Sequence, residues 1–148
     1  MNTVHKLAVL MSLVLLLTAV PAMAQINQIV KFDAPFAFYA GNVKLPAGSY
    51  TVTHSADNYD VLLLESADHS QSTFVECMTT DTNNLPSDTE VSFNQYGKTD
   101  FLTSISLQGD SSEMQILPST TEQNAAETAD AVEHSLSAKS GRQEQTAR

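Results

Sequence analysis

The run Pro35-Phe36-Ala37-Phe38-Tyr39-Ala40-Gly41-Asn42-Val43-Lys44-Leu45-Pro46-Ala47-Gly48-Ser49-Tyr50-Thr51-Val52 restricts the fold more than any other stretch of the chain. Phe36, Phe38 and Ala40 recur with period two, the repeat of a strand that buries one face. Gly41-Asn42 is a pair favoured in two-residue hairpin turns, which need a positive φ that Gly accepts without a Cβ clash. Pro46 and Gly48 then suit the second and fourth positions of a type I turn. Tyr50 and Val52 resume the alternation, so the stretch predicts a hairpin followed by a third strand.

The same residues carry a resemblance. Pro-Phe-x-Phe-x-x-Gly at Pro35–Gly41, Leu-Pro-Ala-Gly-x-Tyr-x-Val at Leu45–Val52 and a later Leu117-Pro118 before a polar segment resemble an uncharacterised family of small secreted β-rich proteins frequent in acidobacterial genomes. The likeness runs from about Val30 to Glu133. It implies a secreted, strand-rich fold and brings no catalytic residue with it.

Ahead of this region stands a leader pattern. Lys6 is followed by the apolar run Leu7–Val20 and by Ala22-Met23-Ala24, the small residues a signal peptidase requires. Residues 1–24 therefore read as a signal peptide cut between Ala24 and Gln25, with Ala22 and Ala24 as the recognised positions. The apolar run is shorter than the roughly 20 residues that span a bilayer, and Gln25 is no acceptor for a lipid anchor. A periplasmic or extracellular location is predicted, with no membrane span after cleavage.

Seventeen acidic residues face seven basic ones, a net charge of −10. Lys31, Lys44 and Lys98 are scattered, whereas nucleic-acid binding rests on clustered cations, so that class of partner is excluded. An acidic surface suits solubility, cations or basic partners. Cys77 is the sole cysteine. Within Val75-Glu76-Cys77-Met78 it reads as a small buried hydrophobe in mid-strand, the alternative being a disulfide between chains.

Asp57-Asn58 separates the Tyr50 strand from Tyr59–Glu65; a two-residue turn there would pair Val52 with Leu63. Leu62, Leu63 and Leu64 are consecutive, which predicts a strand apolar on both faces and covered outside by the C-terminal segment. Thr73–Thr80 and a strand containing Val91 and Phe93 follow; beyond the Gly97-Lys98 turn, Phe101, Ile105 and Leu107 are expected on one face. Strands at this spacing with short turns predict a mainly β fold: a single antiparallel β-sandwich or small barrel over residues 25–118. Ser119-Thr120-Thr121-Glu122 matches a capping box, and Ala125, Ala129, Val132 and Leu136 form a helical stripe. A C-terminal α-helix over 119–139 and a disordered tail over 140–148 are predicted.

Candidate chemistry is sparse. His54, His69 and His134 form no close-spaced ligand pair, and a zinc site needs three or four converging ligands. Asp57-Asn58-Tyr59-Asp60 and Asp81-Thr82-Asn83-Asn84 are oxygen-rich, yet turn chemistry alone accounts for them. No nucleophile elbow is present in the sequence, so no catalytic, metal or cofactor-binding residue is assigned. The sequence predicts a non-enzymatic envelope or extracellular binding module whose partner it leaves unknown, the candidates being an envelope protein and a small apolar ligand. One alternative is a lipocalin-like carrier of a small apolar ligand, which the aromatic residues would line. The other is a hydrolase whose site is visible only in the fold.

Overall fold

In the computed structural model, which describes residues 27–143, the alternating segments become ten strands and one short helix. They are β1 (Asn27–Ala34), β2 (Phe38–Ala40), β3 (Val43–Leu45), β4 (Gly48–His54), β5 (Val61–Ser66), β6 (Ser72–Asp81), β7 (Thr89–Tyr96), β8 (Thr99–Ser106), β9 (Ser112–Ile116), α1 (Thr120–Ala126) and β10 (Ala131–Gln143). Hydrogen bonds order eight of them β8-β7-β10-β1-β4-β5-β6-β9, and β9 pairs back with β8. The antiparallel sheet thus closes into an eight-stranded barrel, which removes the two exposed edges an open sheet would leave. The β2–β3 hairpin stays outside the ring and joins β8 in parallel at Asp100-Phe101.

Alternation sends Val30, Phe32, Val52, Leu62, Leu64, Val91, Phe93 and Ile105 inward, all nearly inaccessible to water. Phe32, Phe38, Tyr50 and Phe93 meet with ring centroids 5.2 to 6.2 Å apart, tilted or edge-on in most pairs as ring quadrupoles favour. The buried Tyr50 hydroxyl donates to the Pro46 carbonyl at 2.5 Å. With apolar groups inside and Lys31, Asp33, Thr51, Glu65 and Glu76 pointing outward, the pattern is inverted relative to a membrane barrel. Among the described residues, no helix is long and apolar enough to cross a membrane.

The Gly41-Asn42 hairpin forms as expected, with Gly41 at φ +61°. Three other expectations are corrected. Val52 pairs with Leu64 rather than Leu63, because Ser55–Asp60 make a longer connection in which the Asn58 side chain accepts the Asp60 N–H at 2.9 Å. A slip of one residue exchanges the faces of a strand, so Leu62 and Leu64 enter the core and Leu63 points out beside Thr53. Phe101 does not share a face with Ile105 and Leu107. A bulge opposite Ser92/Phe93 places Leu102 and Ile105 inside and Phe101 outside.

The third correction concerns the C-terminal segment. Ser119 does cap a helix, its hydroxyl accepting the Glu122 N–H at 3.2 Å, but α1 ends at Ala126. Ala131–Gln143, predicted as helix and tail, is instead β10, paired with β1 on one side and β7 on the other. Two facing strand edges offer a complete ladder of backbone bonds, which outweighs a helical stripe made largely of alanine. Ser140 to Gln143 are accordingly strand; residues 144–148 and the leader with Ala22, Ala24 and Gln25 lie outside the described residues.

Candidate functional site

The packed interior leaves the outer wall to meet other molecules, and its sectors differ in chemistry. Across β7 and β8 the wall is covered. Glu122 of α1 is buried against it and accepts bonds from Asn94 and Tyr96; burial raises its pKa and those two bonds partly oppose the rise. The Thr121 N–H and hydroxyl both donate to Asn42, at 3.2 and 2.9 Å, fixing the helix to the hairpin turn. Phe101 stacks on Tyr39 at 5.1 Å and meets the edge of Tyr96 at 5.7 Å. A cleft of about 650 Å³ beside the helix contains Glu113, Glu122 and Glu133, and Glu113 accepts a 2.7 Å bond from Ser104.

Met78 and Leu117 share that cleft with α1, and beyond it the outer face of β5 and β6 carries no such cover. The segment expected to lie over Leu63 is in the barrel wall on another side, as β10. Phe74 and Met78 on β6 are 64% and 50% exposed, and Leu117, just past β9, is 41% exposed. Phe74 pairs with Leu63, Glu76 with Val61, and Met78 with Gln115, while the Leu117 N–H donates to the Glu76 carbonyl. The register therefore gathers Leu63, Phe74, Val61, Leu117 and Met78 into one apolar stripe with a carboxylate in its middle. No lysine or arginine occurs from residue 45 to 97 or from 99 to 138, so this wall is acidic wherever it is charged.

On the far side, the outer face of β10, β1 and β4 forms a groove of about 790 Å³. Lys31 and Lys139 stand directly opposite each other across β1 and β10, flanked by Thr51 and with Ile29 and Thr53 in the same lining. At the rim His69, in the left-handed region at φ +58°, bonds Glu65 at 2.8 Å, and that carboxylate raises the imidazole pKa.

The remaining sequence candidates are structural. His134, expected in the C-terminal helix, lies on β10 with Nε2 2.7 Å from Asp100 Oδ1, between Phe36 and Phe93 at centroid distances of 5.2 and 5.6 Å. His54 Nδ1 sits 3.0 Å from the Tyr59 carbonyl. Cys77 is in the core, 4% exposed, and burial pushes its thiol pKa up. Of the two oxygen-rich turns, Asn58 closes the first, and in the second the Thr82 hydroxyl lies 2.9 Å from the Ser111 carbonyl. Among the described residues, no group of three or more His, Cys, Asp or Glu is arranged to hold a metal. Sequence reasoning missed the Asp100–His134 pair and the Lys31–Lys139 pair alike. The available signal was the period-two pattern His134, Leu136, Ala138, which marks a strand. Comparison of the chain with protein-family models, curated proteins and solved structures gives no match.

Proposed function

We propose that the chain is an exported, non-enzymatic interaction module that binds a protein through the outer wall of β5, β6 and β9. The observation that carries this reading is the stripe of Phe74, Met78 and Leu117, held exposed on a barrel whose other large apolar groups mostly fill its interior. Export is supported by the leader pattern at residues 1–24 and by the resemblance to secreted β-rich proteins. The non-enzymatic reading is supported by where the titratable groups point: Asp100 and His134 to each other, Glu122 to Asn94 and Tyr96.

A photo-crosslinking residue at position 74 or 78 tests the proposal in the source envelope. A covalent adduct with a protein is expected. A second substitution, Leu117→Glu, should abolish the adduct while stability changes by no more than about 0.5 kcal/mol, as for other exposed positions. Adducts with lipid or solvent alone would sink the proposal. Closure of the barrel favours a second reading, a carrier of a small apolar ligand, although the four packed rings occupy the space such a ligand would need. Native mass spectrometry of protein taken from its source decides between them, a retained small molecule favouring the carrier.

A further inference from the structure

We infer that α1 is a pH-released flap over the β7–β8 wall, shut while the Glu122 carboxyl is protonated and let go when it ionises, and that its release opens the cleft shared with Met78 and Leu117. The second half rests on the β5–β6–β9 wall being a protein-binding surface. The first half stands without it.

The helix is held to the barrel by very little. Glu122, 6% exposed, is the only buried residue of α1; Thr121 and Ala125 are half-buried and the others face water. The two bonds from Thr121 to Asn42 are open to water, which competes for both groups. A helix of seven residues has little stability of its own. What keeps the flap shut is therefore the burial of one titratable side chain.

The wall beneath disfavours a charge at that place. Glu113 of β9 and Glu133 of β10 line the same cleft, β7 adds Asn94 and Tyr96, and β8 adds no charged group. Among the described residues, no lysine, arginine or histidine lines it. The other ionisable groups on α1 and the turn after it, Glu127 and Asp130, are acidic too. Burial outweighs the bonds from Asn94 and Tyr96, which favour the ionised carboxylate, and holds the Glu122 pKa above its ordinary 4.5. Shut, the flap binds this proton more tightly than open. Closure is then strongest below pH 4.5 and weakens as the pH climbs through the raised value.

The chain permits the movement. Leu117 is fixed by its N–H bond to the Glu76 carbonyl, and Ala131 by its pairing with Tyr96. Residues 118–130 can swing outward between these two points without breaking a rung of the barrel. Met78 and Leu117 border the cleft that α1 leaves, so opening extends the exposed apolar stripe toward β7. The stripe is thus partly masked in acid and enlarged near neutrality.

Amide hydrogen exchange followed by NMR, with each rate referred to the intrinsic rate at the same pH, tests the flap. Protection of the wild-type Thr121 and Gln123 amides should fall at least about threefold from pH 4 to pH 7, while that of Leu136 in β10 holds. E122Q should stay protected at pH 7, and E113Q/E133Q should keep the wild-type fall. Wild-type protection that ignores pH, an E122Q that loses protection as the wild type does, or an E113Q/E133Q that no longer responds would each overturn the inference. A photo-crosslinking residue at position 78, used in the source envelope at pH 7, tests the consequence for binding. E122Q should reduce its protein adduct at least about threefold, and equal adducts would overturn the second half. If α1 opens with pH and position 78 crosslinks to no protein, the binding-module reading falls and the flap stands. If position 78 crosslinks and α1 does not open, the flap falls and the binding-module reading stands.

Discussion

His134→Ala separates a barrel closed by a C-terminal strand from one trailed by a loose helix. In the structure Nε2 of His134 is 2.7 Å from Asp100 Oδ1, and the Asp100 side chain is 6% exposed. Removing one partner of a buried hydrogen-bonded pair costs about 1–3 kcal/mol, because the other is left desolvated and unpaired. The His134 side chain is 33% exposed, so water enters the vacated site and the lower end of that range applies. Lost packing on Phe36 and Phe93 adds roughly 0.5–1.5 kcal/mol for each ring. We expect about 3 kcal/mol in all, a fall in Tm of roughly 10 °C for a domain of this size. Urea unfolding followed by far-UV circular dichroism and tyrosine emission measures it, the chain having no tryptophan. Asp100→Asn in the His134→Ala background should recover part of the loss, since the unpaired charge is then gone. A His134→Ala protein within about 0.5 kcal/mol of wild type would place the residue on an open surface and refute the reasoning.

Two further tests concern buried ionisable groups. Burial holds the Glu122 pKa above its ordinary 4.5, so the folded state binds that proton more tightly than the unfolded chain. The resulting stabilisation is complete below pH 4.5 and is lost as the pH climbs through the raised value. Glu122→Gln should therefore gain stability relative to wild type from pH 4 to 7, and parallel melting curves across that range would contradict the assignment. Cys77, with its thiol raised by burial and by nearby Asp60, should resist an aromatic disulfide reagent in the native protein and react at the rate of unfolding. Rapid labelling without denaturant would show the thiol is accessible.

Local chemistry made part of this fold legible. Gly41 with φ +61° terminates β2 as its flanking alternation predicts, and Ser119 caps α1 where its hydroxyl and the spacing to Glu122 indicate. What stayed hidden depends on partners far along the chain. From Ala131 onward the sequence satisfies two templates at once, a 3.6-residue stripe through Val132 and Leu136 and a period-two series through His134, Leu136 and Ala138. Only the facing edges of β1 and β7 decide between them. The bulge that turns Phe101 outward likewise answers to Tyr39 and Tyr96, not to its own neighbours in sequence. The candidate surfaces follow from these same choices: Lys139 meets Lys31, and Phe74 is left uncovered, because the last segment is a strand.

Closure by β10 also sets a timetable for biogenesis. Of all the ring strands, β10 leaves the ribosome last, and it joins β1, which leaves first. Until then the nascent chain holds two unsatisfied borders, on β1 and β7, that cannot be sealed by any earlier segment. The long sequence separation between the two closing strands makes this step slow as well as late. A polypeptide kept unsealed until Ala131–Gln143 has emerged stays open for longer, and a product cut short before Ala131 is a sticky fragment for proteases to clear.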